Sequence, residues 1–386
     1  MAVFLYLGFL MFGIIFLRFI DNNGLPRNWP FVGMIPTLIL NLHRPHHKVA
    51  DTLKRSNGTF FFKGIWFTNT SYLGTSDPEN VRYILSSDNS VYLKGSEWLK
   101  QFDIFGEALF NSDGEARKHH RKVFYALDDV LTHYISIQRH KSKELMASPN
   151  EDDDFNFVKC YLTGHEITGP TPKESLIRDN IANFFLASVY TYSSTFTWFF
   201  YLISKKDMVE IKIRQEIKRH LSMKQVESLQ IPSNFDDLSK LTYLHAAFNE
   251  TLRLFPPIPF EFRTCTKPDF LPSGHRVDRN TRVLIGIHAM GRMESLWGED
   301  CYEFKPERWI SEEGKLIRES PSKFCAFLAG PRICAGKELS FLLMKATATA
   351  IIHNYNVHVL EGQNISPKNS VLYQMKKGFM VRVKNI

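Results

Sequence analysis

Cysteine is scarce. Five cysteines at 160, 265, 301, 325 and 334 are an odd number at irregular spacings, which excludes a disulfide framework and the paired ligand spacings of a zinc site and leaves reduced thiols. There is no internal repeat and no low-complexity stretch, so solenoids, arrays and linker-like tails are excluded. Hydrophobic residues make up 44% and charged residues 23% of 386, an ordinary globular balance with enough chain for a substantial core. No strong block of one charge sign is present. The formal charge of +8 suits an anionic partner, either a membrane surface or an acidic electron-transfer protein. The basic residues are dispersed along helices beside acids, which argues for solvated faces and against nucleic acid.

One exception to the scarcity of long apolar runs stands at the front. From Ala2 to Leu17 there is no charge until Arg18. The run is a little short of the ~20 residues that span a bilayer. No small-residue cleavage site follows it, so residues 1–20 are predicted to be an uncleaved membrane anchor. Leu25-Pro-Arg-Asn-Trp-Pro-Phe-Val-Gly33 then reads as a hinge. Thr59-Phe-Phe-Phe and Ile65-Trp-Phe are β-prone, and Asp77-Pro-Glu-Asn-Val-Arg-Tyr-Ile-Leu reads as a capped amphipathic helix. Leu176 to Leu202 lacks both proline and glycine and predicts a long core helix. Asp236 to Leu254 predicts an amphipathic helix that carries Glu250 and Arg253 one turn apart, close enough to pair.

The most specific stretch is Phe327-Leu-Ala-Gly-Pro-Arg-Ile-Cys-Ala-Gly336. Gly330 and Gly336 let the backbone turn and approach a flat cofactor, Arg332 can reach a propionate, and Phe327 can pack beneath a ring. Behind Cys334, Lys337 to Ile352 is helix-prone, and its N-terminal N–H groups would favour a thiolate. Taken alone, Cys334 is one more buried, inert cysteine. The spacing Phe-x-x-Gly-x-Arg-x-Cys-x-Gly, with Glu250-Thr-Leu-Arg253 and Phe304-Lys-Pro-Glu-Arg-Trp309 upstream in order, resembles the haem-thiolate signature set of the cytochrome P-450 superfamily.

The resemblance implies a mainly α fold with small β-sheets (α+β) and a single haem-binding catalytic domain over residues 21–386. It implies haem b with Cys334 as axial iron ligand, and Arg263 and Arg121 as further propionate contacts. Arg121 lies in Asp113-Gly-Glu-Ala-Arg-Lys-His-His-Arg-Lys122, where Arg117 stands in place of the usual tryptophan; a plain basic helix face explains this segment equally well. Glu250 and Arg253 would join Arg308 in a buried lock that holds the cysteine loop. Ala187-Ser-Val-Tyr-Thr-Tyr-Ser193 aligns with the oxygen-binding helix. There Thr191 is kept, able to bond dioxygen and relay protons, while Tyr190 replaces the family's acid. An ordinary helix threonine bonding a carbonyl one turn back is the alternative for Thr191.

The wording of Leu25-Pro-Arg-Asn-Trp-Pro, Ala289-Met-Gly-Arg-Met and Trp297-Gly-Glu-Asp resembles the plant long-chain fatty-acid and alkane hydroxylase group. That implies O2, an NADPH-dependent cytochrome reductase, a lipid substrate, and an endoplasmic reticulum membrane with the catalytic domain facing the cytosol. Only 70 positions separate Arg121 from Thr191. The resemblance therefore implies that the helices roofing the substrate pocket are largely missing between about 125 and 170. That gap, Tyr190 and Arg117 keep two alternatives open: a haem-binding pseudoenzyme, or a haem-thiolate enzyme that rearranges lipid hydroperoxides without a reductase.

Overall fold

A computed structural model describes residues 23–86, 91–103, 106, 109–123, 173–221 and 235–386. The expected anchor (1–20) and the expected gap in the roof (about 125–170) lie outside these residues. Among those described, no helix is long and apolar enough to cross a membrane. The chain forms two compact units, Met1–Leu93 with Tyr190–Ile386, and Lys94–Val189.

The larger unit is mainly helical with small sheets, as expected. After the hinge come α1 (Ile35–Leu40), α2 (Pro45–Arg55), β1 (Thr59–Phe62), β2 (Tyr72–Thr75), α3 (Pro78–Ser86) and β3 (Tyr92–Leu93). The hinge is a tight turn in which Trp29 and Gly33 exchange backbone hydrogen bonds of 2.8 and 2.9 Å. Gly33 has φ +60°, and a Cβ there would collide with the Lys63 and Gly64 carbonyls, so only glycine fits. Asp77 caps α3 by accepting the Asn80 N–H at 2.8 Å. The β-prone Ile65-Trp-Phe run is not a strand. It forms a turn in which Phe67 has φ +60° and is 99% exposed, because turn geometry between β1 and β2 overrides local preference.

The smaller unit holds α4 (Ser96–Gln101) and a helical stretch over 114–123. Trp98 stacks on Phe102 at 4.0 Å beneath the Lys94 ammonium at 3.8 Å. Arg117 is buried and Arg121 half-buried on the 114–123 helix.

The predicted core helix is present as α5, a 30-residue helix from Glu174 to Ile203 that begins in the smaller unit. It is followed by α6 (Asp207–His220), α7 (Phe235–Ser239), α8 (Thr242–Leu254), β4 (Glu261–Cys265), β5 (Asp269–Phe270), β6 (Arg276–Val277), β7 (Arg282–Ile285), α9 (Ile287–Met290), α10 (Glu294–Trp297), α11 (Lys337–Asn354), β8 (Tyr355–Val359) and β9 (Val381–Asn385). The single helix expected over 236–254 is two, α7 and α8, broken at Lys240 and Leu241. The second one starts there because the Glu216 carboxylate, from α6, accepts the Tyr243 and Leu244 N–H groups at 2.7 and 2.9 Å. Burial pushes the Glu216 carboxyl up.

β1, β2, β7, β4 and β3 form one sheet in that order, antiparallel except for the parallel β2–β7 pair. Leu73, Val81, Ile84, Val283, Ile285, Met290 and Cys325 pack around it. A second core joins α5, α6, α8 and α11 through Phe199, Ile213, Ile217, Leu244, Phe248, Leu252, Met344 and Ile352. Burying such side chains is worth roughly 1.5–3 kcal/mol each, so α8, buried along nearly all its length, is a rigid base for the residues it carries.

Candidate functional site: the cysteine loop and its lock

The loop before α11 is shaped by two residues in the left-handed region, Leu328 (φ +59°) and Gly330 (φ +58°), and by a 3-10 turn over Gly330–Arg332. The Cys334 N–H reaches back to the Phe327 carbonyl at 2.8 Å and the Ile333 N–H to Gly330 at 3.0 Å. These bonds close the loop on itself. Gly336 is the N-cap of α11, and its Cβ direction is open, with the Ser340 hydroxyl the nearest atom at 3.9 Å. Among the described cysteines, Cys265, Cys301 and Cys325 are buried and Cys334 is exposed. Burial, with the Glu261 charge beside it, pushes the Cys325 thiol up to about 12, which makes it inert. The bland expectation that Cys334 is one more buried cysteine therefore fails.

Phe327 packs on Phe341 of α11 with ring centroids 5.3 Å apart, and Phe341 stacks on His245 of α8 at 4.0 Å. Arg332 is half-buried, and burial lowers it to about 10, so it stays cationic at neutral pH. Arg263, on β4, is 1% exposed. It donates to the Glu261 carboxylate and to the Phe262 carbonyl at 2.7 Å. Its Nη2 is buried without a hydrogen-bond partner, a cost of about 1–3 kcal/mol that an anionic oxygen would remove.

Glu250, Arg253 and Arg308 meet. Glu250 is fully buried and takes Arg253 Nε and Nη2 at 2.7 and 2.8 Å, with Arg308 Nε at 3.4 Å. Two members were not expected from the sequence: Trp309 Nε1 donates to Glu250 at 2.9 Å, and the Lys305 N–H at 3.0 Å. The spacing of Trp309 in its motif was the available signal. Arg253 also donates to the carbonyls of Gly291, Cys301 and Glu303, and Arg308 to those of Trp297 and Asp300 and to the Asp300 carboxylate. Hydrogen bonds from Lys305 and Arg308 pull that carboxyl down to about 2. The bonds of the lock thus grip residues 291–309, and its link to the cysteine loop is packing: Trp309 lies 4.7 Å from Phe324, and α8 reaches Phe327 through His245 and Phe341.

On α5, Tyr190 is 47% exposed and Thr191 half-buried, with the Thr195 hydroxyl donating to the Thr191 carbonyl at 2.8 Å. Arg121 belongs to the smaller unit. Among the described residues, no group of three His, Cys, Asp or Glu side chains could hold a metal ion by itself.

An exposed thiol at the mouth of a helix, a glycine beside it with open space, and a buried guanidinium nitrogen without a partner fit a flat anionic metallocofactor held by one thiolate. The family model named Cytochrome P450 matches residues 125–383. The alkane hydroxylase MAH1 of Arabidopsis thaliana is 33% identical, with 92% of this chain and 93% of that protein covered. Noroxomaritidine synthase 1 of Narcissus pseudonarcissus is 31% identical over 94% of this chain and 92% of its own, and cytochrome P450 86B1 of Arabidopsis thaliana 28% over 94% and 86%. The first alignment runs to 474 positions, longer than the chain itself, so that relative carries segments with no counterpart here. With its cysteine motif, its buried Glu250–Arg253 pair and these relatives, the chain belongs to the cytochrome P450 family and is an oxidoreductase of the monooxygenase kind.

Proposed function

We propose that the protein hydroxylates a long-chain apolar substrate, a fatty acid or an alkane, using O2 and electrons delivered by an NADPH-dependent cytochrome reductase. The observation that carries this reading is the exposed Cys334 at the start of α11, set against the buried thiols of Cys265, Cys301 and Cys325. Residues 1–20 anchor the chain in the endoplasmic reticulum membrane, and residues 21–386 form the catalytic domain facing the cytosol. The similarity to an alkane hydroxylase supports the substrate class.

The cofactor these residues would hold is haem b, which with a thiolate ligand would supply the chemistry of oxygen activation. Cys334 supplies that thiolate, favoured by the N-terminal N–H groups of α11. Arg332 and Arg263 would take the propionates, which would give the orphaned Nη2 of Arg263 a partner; the same role for Arg121 rests on its sequence motif alone. Phe327 would pack against the cofactor, and Gly330 and Gly336 would allow close approach. Glu250, Arg253 and Arg308 hold the architecture around the cofactor. Thr191 holds a proton for dioxygen, while Tyr190 puts a phenol where the family has a carboxylate and delivers protons poorly.

The test is a carbon-monoxide difference spectrum of the reduced protein, then NADPH consumption with reductase and a long-chain alkane or fatty acid. A thiolate Soret band with hydroxylated product is expected; no such band overturns the proposal. Tyr190 favours a second reading, a hydroperoxide-rearranging or inactive haem protein. A thiolate band with no NADPH-dependent product would select it.

A further inference from the structure

The helix that carries Thr191 is tied down by polar side chains on two opposite flanks. On one flank the Tyr192 hydroxyl lies 3.0 Å from the Leu343 carbonyl and 2.7 Å from the Thr347 hydroxyl, both on α11. A carbonyl only accepts, so the phenol proton goes to Leu343, and Thr347 donates to the phenol oxygen. α11 is the helix that begins three residues after Cys334. On the other flank the Ser194 hydroxyl and the Trp198 indole N–H, one turn apart, both donate to the Tyr373 carbonyl at 2.8 and 3.0 Å. All three of those residues are buried, at 4%, 2% and 1% exposure, and the two donors fill both lone pairs of that oxygen. The Tyr373 N–H is fixed in turn to the Pro257 carbonyl at 2.8 Å.

At about 100° per residue, Tyr192 and Ser194 point to opposite sides of the helix, and Thr191 falls on the arc between them. A helix held on one flank can still roll about its axis; one held on both cannot without breaking either the half-buried bonds of Tyr192 or the buried bonds to Tyr373. Packing alone does not account for these contacts, since a phenylalanine at 192 would keep the ring contact with Phe196 at 4.6 Å.

We propose that Tyr192, Ser194 and Trp198 are positioning residues that fix the rotation of α5 and its register against the cysteine's helix, and thereby aim the Thr191 hydroxyl. The role assigned to Thr191 rests on the function proposed above; the anchoring itself does not.

The experiment compares wild type with Tyr192→Phe, Thr347→Val and Trp198→Phe, with Thr347→Ser as the conservative rescue. Backbone hydrogen exchange over 190–198 is expected to quicken about fivefold to tenfold in the first three, the size of one lost intramolecular hydrogen bond. It should be unchanged in Thr347→Ser and unchanged at the β4–β7 pair in all variants. The reduced carbon-monoxide band should persist, because Cys334 is untouched, while product per NADPH falls about threefold or more and peroxide rises. Exchange within twofold of wild type in Tyr192→Phe and Trp198→Phe would overturn the proposal, as would faster exchange with the band intact and coupling unchanged. If wild type itself shows no thiolate band, the functional reading fails, and the exchange result alone decides the anchoring.

Discussion

Replacing Arg253 by alanine removes a guanidinium that is 2% exposed and makes five hydrogen bonds. Two of them hold the Glu250 carboxylate. Three hold the carbonyls of Gly291, Cys301 and Glu303, in the stretch between α9 and Trp309 whose regular structure is limited to α10 and a 3-10 turn over Pro306–Trp309. After the change, Glu250 keeps Trp309 Nε1, the Lys305 N–H and Arg308 at 3.4 Å, so its charge is weakened in its pairing without being abandoned. Breaking a buried pair costs about 3–5 kcal/mol, and each orphaned carbonyl about 1–3 kcal/mol if water cannot reach it. These costs overlap, and a total of about 5 kcal/mol is the reasonable expectation. Against a native stability of roughly 5–15 kcal/mol, Arg253→Ala should be largely insoluble and carry little haem. The assay is soluble yield, haem per chain and the urea midpoint. Arg253→Lys keeps the charge but not the fork and should fall between. Lys212→Ala breaks an ion pair with Glu307 whose partners are 43% and 42% exposed, so it should cost under about 1 kcal/mol. An Arg253→Ala protein within about 1 kcal/mol of wild type would show that the cluster is decorative.

Cys334→Ser should abolish the thiolate Soret band while Cys160→Ser, Cys265→Ser, Cys301→Ser and Cys325→Ser keep it; an unchanged spectrum in Cys334→Ser would sink the functional proposal. Tyr190→Asp should raise product per NADPH and lower peroxide, and equal or worse coupling at unchanged haem content would mean that protons arrive by another route. Acid should loosen α2 from the larger unit. His46 and His47 of α2 lie 6.2 and 5.2 Å from the fully buried His288, and burial lowers all three, His46 to about 4. Arg292 faces all three and Arg44 faces His47, both opposing protonation, with Asp51 a partial counterweight at His47. Because the folded pKa is below the unfolded 6.5, the stability is fully present above pH 6.5 and is lost on acidification; His46 alone contributes about 2 kcal/mol between pH 6.5 and 5. Urea midpoints at pH 7.5 and 5 should differ much less in His46→Phe, and an identical pH slope would refute the assignment.

Much of this was already legible in the chain, because it depends on neighbours in sequence. Absence of proline and glycine from 176 to 202 was enough for α5, since a largely apolar stretch without a helix breaker has no cheaper way to satisfy its backbone. The three-residue step from Glu250 to Arg253 made their pairing a matter of helix geometry. The spacing around Cys334 pointed to a cofactor loop, while its left-handed turns at Leu328 and Gly330 emerged only in the fold. What the sequence could not supply were partners far apart along the chain. Local preference made Ile65-Trp-Phe a strand and 236–254 one helix; the sheet needed a turn at the first, and the carboxylate of Glu216 on α6 started a new helix in the second. The sequence proposed Glu250, Arg253 and Arg308 as a lock on the cysteine loop. Only the fold, by seating Trp309 between Glu250 and Phe324, converted that grip into packing. Nothing in the residues near Arg263 signals that one of its nitrogens is left unpaired, or near Tyr192 that its hydroxyl meets Thr347 155 positions away. Such pairings exist because helices and strands with independent local causes bury their apolar faces against each other, and the polar atoms carried along must find partners wherever that packing leaves them.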